Sequence, residues 1–318
     1  MSRHWATTRE AGVMRGLQIM IWVNKYVGRW AFNVVLVFVM SYFFLRRREA
    51  RRASFDYLRR VRREYPQAIG RGPLWWWAFR HFFIFGQSLL DKYLAWAETP
   101  DGILMSPGEE KALFDFVATR RGCLLIGSHF GNLEYSRGIA HRHPEVTINV
   151  LIYDQHAQNF AALLAQGDPD SRMNLIQVTD VDLSLALKLK EKVDRGEWVV
   201  IAGDRVPVGD SERVAEATFI GDAARFPIGP YVLATLLQCP VFLLHCFRLD
   251  GNYRLGYEFF AEQIGADRKN REQAYANSAQ AFASALEHQV IRAPLQWFNF
   301  FDFWGRPDST AGDESEKQ

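Results

Sequence analysis

Cysteine is scarce in this chain, which excludes a disulfide-stabilised fold and a cysteine-based zinc site. Three cysteines, Cys123, Cys239 and Cys246, occur in 318 residues, which is too few for a disulfide framework. Their spacing lacks the paired ligands of a structural zinc site. Two of them lie in apolar, strand-like runs, which favours small buried hydrophobic side chains. We therefore expect no metal or other cofactor, and a chain that faces the cytosol.

A strong net charge and an internal repeat are also missing. The formal net charge is +2, so whole-chain electrostatics selects no class of partner. Aromatic residues, in contrast, make up 14% of the chain, including ten tryptophans and twenty-four phenylalanines. This content is high for a soluble enzyme and indicates an apolar ligand or a membrane surface. The length is enough for one large domain with appendages.

The longest uncharged run, residues 30–45, does not have the features of a cleaved signal peptide. It begins too deep in the chain, and no small-residue cleavage site follows it. Its sixteen residues are slightly fewer than the roughly 17–25 that a spanning helix needs. We predict a membrane-attached helix, spanning or partly inserted. The alternative is a buried core helix followed by a solvated basic helix.

Nine arginines lie between Arg46 and Arg63. Such clusters beside an apolar helix attract anionic headgroups and tend to stay cytoplasmic. No nucleic-acid-reading motif accompanies them, so we do not expect nucleic-acid binding. Residues 73–85 follow with aromatics on all sides, and the predicted helix continues to Trp96. Either one face of this helix enters the membrane interface or the helix is purely internal. We interpret residues 1–100 as a helical membrane-association region, with side chains between 75 and 96 lining an acyl groove.

From about residue 103 the pattern changes to short apolar strands that alternate with helices. This alternation predicts an α/β fold with a mixed central sheet and helices on both faces, over residues 101–307. Residues 308–318 are predicted to be a disordered tail. The predicted strands are 124–127, 146–153, 175–178, 198–202, 241–247 and 252–260, and the predicted helices are 109–121, 133–142, 160–166, 182–195 and 231–237.

His129 follows the first of these strands, in a turn that precedes a helix beginning near Asn132. On one continuous helix, His129 and Glu134 would point about 140° apart and could not meet. With His129 in the turn, they can approach each other. The carboxylate would then orient the imidazole, which would deprotonate a hydroxyl that attacks a carbonyl. Backbone N–H groups near Gly131 and Asn132 would stabilise the developing negative charge.

Other polar residues lie where open α/β sheets place their ligands, at strand ends. Asp204 and Arg205 follow one strand, and Arg225 and Gly229 precede a helix. We expect these four to bind substrate, with the arginines holding a phosphate. The alternatives are a turn cap for Asp204, salt bridges for the arginines and a purely loop-shaping role for Gly229. Ser128 is not expected to pair with His129, because adjacent strand residues point to opposite faces.

Several short blocks occur in an order that resembles one protein family. They are His129-x4-Glu134, Gly203-Asp204-Arg205, Phe219 to Pro230, Cys239-Pro240-Val241 and Pro294 to Phe298. Together they resemble the bacterial lipid A late acyltransferase (lauroyl/myristoyl transferase) family, within the His-x4-Asp/Glu lysophospholipid acyltransferase group.

The resemblance implies that His129 is the general base and that Glu134 is its partner. It implies transfer of a fatty acyl group from an acyl carrier protein or coenzyme A thioester to a lipid hydroxyl. The implied location is the cytoplasmic face of the inner membrane.

Two departures leave the acceptor open. Ile228 stands where glycerophosphate acyltransferases have an acid, and residues 296–304 lack the basic residues usual after the tryptophan in the lipid A enzymes. The acceptor can therefore be a lipid A precursor, another lipid or an aryl polyene-type lipid. Two other functions remain as alternatives: a lipid thioesterase that uses the same His-Glu pair, and a non-catalytic membrane lipid-binding protein.

Overall fold

The computed structural model describes residues 20–97, 104–152, 173–178, 183–206, 213–265 and 269–305. The α-helices are α1 (Arg29–Arg46), α2 (Arg48–Glu64), α3 (Leu74–Ala97), α4 (Pro107–Ala118), α5 (Arg137–Arg142), α6 (Leu183–Asp194), α7 (Gly229–Leu237) and α8 (Arg271–Arg292). The strands are β1 (Cys123–Gly127), β2 (Ile148–Ile152), β3 (Met173–Gln177), β4 (Trp198–Ala202), β5 (Val214–Phe219), β6 (Asp222–Pro227), β7 (Val241–Leu249) and β8 (Asn252–Ala261). Short 3₁₀ helices cover Leu133–Ser136 and Pro294–Gln296, and residues 20–26 are also helical.

Six strands form one mixed sheet in the order β3-β2-β4-β1-β7-β8. The first five of these run parallel, and β8 pairs antiparallel with β7. β1 lies in the middle of the sheet, and all five of its residues are buried. A strand covered on both faces needs a continuous apolar run, which explains the sequence Cys-Leu-Leu-Ile-Gly.

Helices cover both faces of this sheet. Leu124 and Ile126 of β1 join the core formed with α6, α7 and α8. The alternate residues, Cys123 and Leu125, join a second core with Leu113 of α4. The predicted mixed α/β sheet with helices on both faces is therefore confirmed.

Two elements were not predicted from the sequence, the β5–β6 hairpin and α8. The hairpin turns at Ile220 and Gly221, which both have positive φ, 51° and 77°. Such turns usually carry Asn-Gly, so Ile-Gly gave no clear signal. α8 is a 22-residue helix that packs against β5. The predicted helix at 160–166 and the predicted tail at 308–318 lie outside the described residues.

The N-terminal helices α2 and α3 belong to the main core. Tyr57, Leu58 and Ala78 are buried in the same cluster as Ile126 of β1. The core thus continues across the predicted boundary at residue 100, where the membrane-association region was expected to end. This division of the chain stays a prediction.

α1 packs less deeply than the two helices after it. It contacts α3 closely at Gly86, where a Cβ atom would lie 2.7 Å from Leu36 Cδ1. Only 22% of α1 is buried, and it is the one helix within the described ranges with the length and apolar composition to cross a membrane. Its exposed large apolar side chains include Trp30, Val34, Phe38, Tyr42 and Leu45. Their spacing of three to four residues places them on one face of the helix.

Candidate active site

The parallel pairing of β1 with β4 brings His129 beside Asp204. Gly127 and Ala202 are register partners at the ends of the two strands. His129 and Asp204 each lie two residues beyond these partners, so they leave the sheet at the same level. His129 Nδ1 lies 2.8 Å from Asp204 Oδ1, and the His129 backbone N–H donates to Asp204 Oδ2 at 2.9 Å.

The environment of Asp204 favours an ionised carboxylate. The residue is 1% exposed, and burial alone would raise its pKa. The charge and hydrogen bonds of His129 outweigh burial, with help from Arg205, and the pKa of Asp204 is lowered from 3.8. A carboxylate only accepts hydrogen bonds, so Nδ1 of His129 carries the proton.

The second ring nitrogen of His129, Nε2, then has the free lone pair. The His129 side chain is 37% exposed, so this nitrogen is within reach of a substrate. A buried carboxylate that fixes one tautomer of a partly exposed imidazole is the arrangement of a general base. The site can therefore remove a proton from a hydroxyl placed at Nε2.

Trp297 completes the surroundings of the carboxylate. Its indole Nε1–H donates to Asp204 Oδ2 at 3.1 Å, and the side chain is fully buried. The backbone beside it holds the His129 turn, since Gly131 N–H donates to Gln296 O at 2.8 Å and Phe298 N–H donates to His129 O at 3.0 Å. No role in the site is predicted for Trp297 from the sequence, although a buried indole N–H regularly needs an acceptor.

Glu134 has a different partner from the one expected. It lies in the 3₁₀ helix Leu133–Ser136, and its Oε1 is 3.0 Å from Lys92 Nζ on α3. In the orientation that satisfies both neighbours, the Asn132 amide donates to Glu134 Oε2 at 2.7 Å and accepts from the Lys92 N–H at 3.1 Å. The sequence predicts that Glu134 contacts His129, but no hydrogen bond joins these two described residues. Asp204 orients His129 instead, and a catalytic role for Glu134 stays a prediction.

Comparison with known families is decisive for the class of protein. The model described as bacterial lipid A biosynthesis acyltransferase matches residues 95–306, which include His129, Asp204 and Trp297. The chain belongs to this family. A comparison with curated proteins finds no match. The resemblance predicted from the ordered blocks is confirmed, and membership implies acyl transfer to a lipid.

The predicted oxyanion donors of this acyltransferase are already occupied. Gly131 N–H donates to Gln296 O, and Asn132 N–H donates to Cys246 O at 2.6 Å. Gly131 has φ 69°, and a Cβ there would lie 2.0 Å from Cys246 O. The role that the structure gives Gly131 is therefore close packing of the His129 turn against β7. These two N–H groups therefore have backbone acceptors, and stabilisation of the developing charge by N–H groups near Gly131 and Asn132 stays a prediction.

The two arginines predicted to bind substrate lie on different elements. Arg205 donates from Nη2 to Phe298 O at 2.7 Å and lies over the Phe301 ring, so it borders the site. Arg225 lies on β6, across the hairpin from Glu216. Gly229 is the first residue of α7. Substrate binding by Arg205, Arg225, Gly229, Gly131 and Asn132 stays a prediction. So does substrate binding by Asp204, whose carboxylate is engaged by His129 and Trp297.

Aromatic side chains of α3 meet the segment that follows Trp297. Phe85 lies 5.4 Å from Phe298 and 5.2 Å from Phe300, and Phe82 lies 4.7 Å from Phe300, between ring centroids. Since Phe298 is hydrogen-bonded to the His129 backbone, this apolar cluster adjoins the candidate base. It is consistent with an acyl groove along α3, which remains a prediction.

Proposed function

We propose that this acyltransferase moves a fatty acyl group from an acyl thioester to a hydroxyl of a lipid or lipid-like acceptor, with His129 as general base. The thioester is that of acyl carrier protein or coenzyme A. The observation that carries the proposal is the 2.8 Å contact between His129 Nδ1 and the buried Asp204 carboxylate. It leaves Nε2 of a partly exposed imidazole as the proton acceptor.

The reaction proceeds by direct transfer. Nε2 of His129 takes the proton of the acceptor hydroxyl as its oxygen attacks the thioester carbonyl. Asp204 stabilises the imidazolium that forms, without itself taking the proton. Collapse of the tetrahedral intermediate breaks the C–S bond and expels the thiolate, which recovers the proton from Nε2. The products are one ester and one thiol, and the histidine returns to its starting state.

Glu134 has a positioning role in this proposal. Its ion pair with Lys92 ties the helical turn after His129 to α3. Both side chains are about one-quarter exposed, at 26% for Lys92 and 23% for Glu134. Glu134 lies on the turn that follows the base, and its ion pair with Lys92 fixes that turn against the helix that carries the aromatic cluster.

The reaction is tested by its dependence on an acceptor. Dodecanoyl-coenzyme A and dodecanoyl-acyl carrier protein are supplied in detergent micelles, with a lipid A precursor or a bacterial lipid extract, and thiol and ester are quantified. We expect thiol release to require the lipid and to match ester formation one to one. Equal thiol release without lipid, with free dodecanoate as product, would identify a thioesterase. Thioester binding without turnover of either donor would indicate a lipid-binding protein.

The same proposal places the enzyme at the cytoplasmic face of the inner membrane, attached through α1. The exposed face of α1 carries Trp30, Phe38 and Leu45, and apolar side chains in such a stripe gain free energy on entering a bilayer interface. Exposed arginines follow immediately at 46–48, where they would meet anionic headgroups. Because little of α1 is buried, the alternative of a core helix is disfavoured.

The double variant Val34→Glu with Phe38→Glu is expected to lower membrane binding. Carboxylates on an inserted apolar face cost about 2.5–3.5 kcal/mol each near the helix centre, so partitioning should fall at least about tenfold. Co-flotation with phosphatidylglycerol–phosphatidylethanolamine vesicles measures it.

A matched control carries Phe114→Glu with Leu187→Glu, which alter exposed apolar residues on α4 and α6. The control should float like the unmodified protein. Equal flotation of the α1 variant and the unmodified protein would show that α1 is not the attachment site.

A further inference from the structure

A second histidine, His81 on α3, lies between Ser54 of α2 and the segment that holds the candidate base. His81 Nδ1 is 3.0 Å from Ser54 Oγ, and His81 Nε2 is 2.9 Å from the Trp297 carbonyl oxygen. Ser54 and His81 are both fully buried. Neither ring nitrogen is exposed to solvent, and each has one partner.

The chemistry of these partners fixes the state of the ring. A carbonyl oxygen only accepts, so Nε2 must carry a proton. In the neutral ring Nδ1 then accepts from the Ser54 hydroxyl. Burial lowers the pKa of His81 to about 4, against a smaller raising effect from the Trp297 bond. His81 is thus a neutral imidazole with a single tautomer near neutral pH.

The carbonyl oxygen that accepts from His81 belongs to Trp297, the residue whose indole N–H donates to Asp204. Trp297 donates to the carboxylate through Nε1. Its two chain neighbours, Gln296 and Phe298, hydrogen-bond to Gly131 and His129. The Trp297 segment therefore contacts both members of the Asp204–His129 pair. Two hydrogen bonds tie this segment to the buried faces of α2 and α3, from His81 to the Trp297 carbonyl and, at 2.6 Å, from Tyr57 to the Pro294 carbonyl.

We propose that His81, held in place by Ser54, is a positioning residue that sets the geometry of the Asp204–His129 pair through Trp297. The inference rests on the proposed role of His129 as base. Loss of the Nε2–H bond would release the Trp297 carbonyl, and the indole would no longer lock the second oxygen of Asp204. The carboxylate and the imidazole would then lose alignment without any change in the groups that touch substrate.

Two substitutions separate the hydrogen bond from the volume of the ring. His81→Phe keeps a planar ring and removes both bonds, whereas His81→Gln restores an N–H donor close to the position of Nε2. Because misplacement by about 1 Å can cost about 100-fold in rate, we expect His81→Phe to lower kcat by about 10- to 100-fold. The KM for dodecanoyl-coenzyme A should stay within about twofold, and His81→Gln should recover most of kcat.

Tyr57→Phe is the matched control. It removes one buried hydrogen bond to the same segment, at Pro294, and leaves Trp297 and Asp204 untouched. Its kcat should stay within about threefold, because the lost bond, worth about a factor of ten or less in stability, lies at Pro294 and not on the Trp297 carbonyl. The proton on His129 Nδ1 provides a direct readout by NMR. Its low-field resonance should be kept in Tyr57→Phe and His81→Gln, and shifted or lost in His81→Phe.

The outcomes distinguish this inference from the function on which it rests. Full activity in His129→Ala would overturn the proposed function itself. An inactive His129→Ala protein, together with unchanged kcat and resonance in folded His81→Phe, would overturn only the role of His81. If His81→Phe does not fold, Ser54→Ala takes its place, because it removes only the hydroxyl donor. It is expected to lose about 3- to 10-fold in kcat, the effect of one hydrogen bond, and an unchanged kcat would likewise overturn the inference.

Discussion

His129→Ala is expected to lower kcat for acyl transfer by about 10³–10⁴-fold, the upper range of what a general base contributes. The substitution removes the nitrogen that takes the proton of the acceptor hydroxyl. Asp204 cannot replace it as base, because its carboxylate is only 1% exposed and its lowered pKa makes it a weak proton acceptor. Single-turnover formation of dodecanoyl ester, quantified by mass spectrometry, measures the loss. The KM for the thioester should change little, since His129 acts mainly on the acceptor.

His288→Ala is a suitable control for this experiment, because His288 is an exposed histidine on α8. It should leave the rate of ester formation unchanged. A protein that lacks the His129 imidazole and still forms ester at the normal rate would remove His129 from the mechanism. The candidate site would then have to be sought elsewhere in the family-matched region.

The sequence was sufficient to predict the strands that form the site. β1 and β4 are apolar runs buried on both faces, and such strands leave a strong local pattern. The turn that carries His129 was equally evident, because Gly127 and Ser128 interrupt the apolar run before the helical turn. These features depend on neighbouring residues, so local reasoning reaches them.

The pairing of His129 with Asp204 depends instead on the order of strands. β4 follows β2 and β3 in the chain, yet it lies beside β1 in the sheet. Local spacing favours Glu134, which lies close to His129 in sequence, but its 3₁₀ turn directs the carboxylate to Lys92. Strand order is a non-local property, and one sequence does not display it.

The hydrogen-bond acceptors of the Gly131 and Asn132 N–H groups could not be predicted from the sequence for the same reason. These acceptors belong to Gln296 and Cys246, far along the chain. The roles of Trp297 and His81 also depend on contacts between distant segments. Residue types indicate that such groups need hydrogen-bond partners, but only the folded structure shows which partners they have.

Asp204→Asn is expected to lower kcat by about 10²–10³-fold, somewhat less than the loss known for the buried aspartate of a serine protease triad. The amide keeps the size of the carboxylate but loses its charge, so it no longer stabilises the imidazolium. It also offers an N–H where Nδ1–H needs an acceptor, which favours the wrong tautomer. Steady-state kinetics of dodecanoyl transfer, with the low-field NMR signal of the His129 Nδ1 proton, measures both effects.

The acid stability of the same variant follows from the pKa of Asp204, which is lowered in the folded protein. A carboxyl with a lowered folded pKa stabilises the fold above its unfolded pKa, about 3.9. That contribution is lost as pH falls through the folded value. Asparagine does not titrate, so the Tm of Asp204→Asn should fall less steeply below about pH 4. If the Tm of the two proteins fell equally steeply with acid pH, Asp204 would not be held as a carboxylate in the folded protein.

Glu134→Gln decides which of the two acids orients the base. The amide breaks the ion pair with Lys92 and keeps the shape of the side chain. Because Glu134 makes no hydrogen bond to His129, the Nδ1 proton signal should persist, and the loss of kcat should be smaller than in Asp204→Asn. The opposite result, a signal lost in Glu134→Gln and kept in Asp204→Asn, would return the orienting role to Glu134. The 2.8 Å contact between His129 and Asp204 would then be absent from the reacting enzyme.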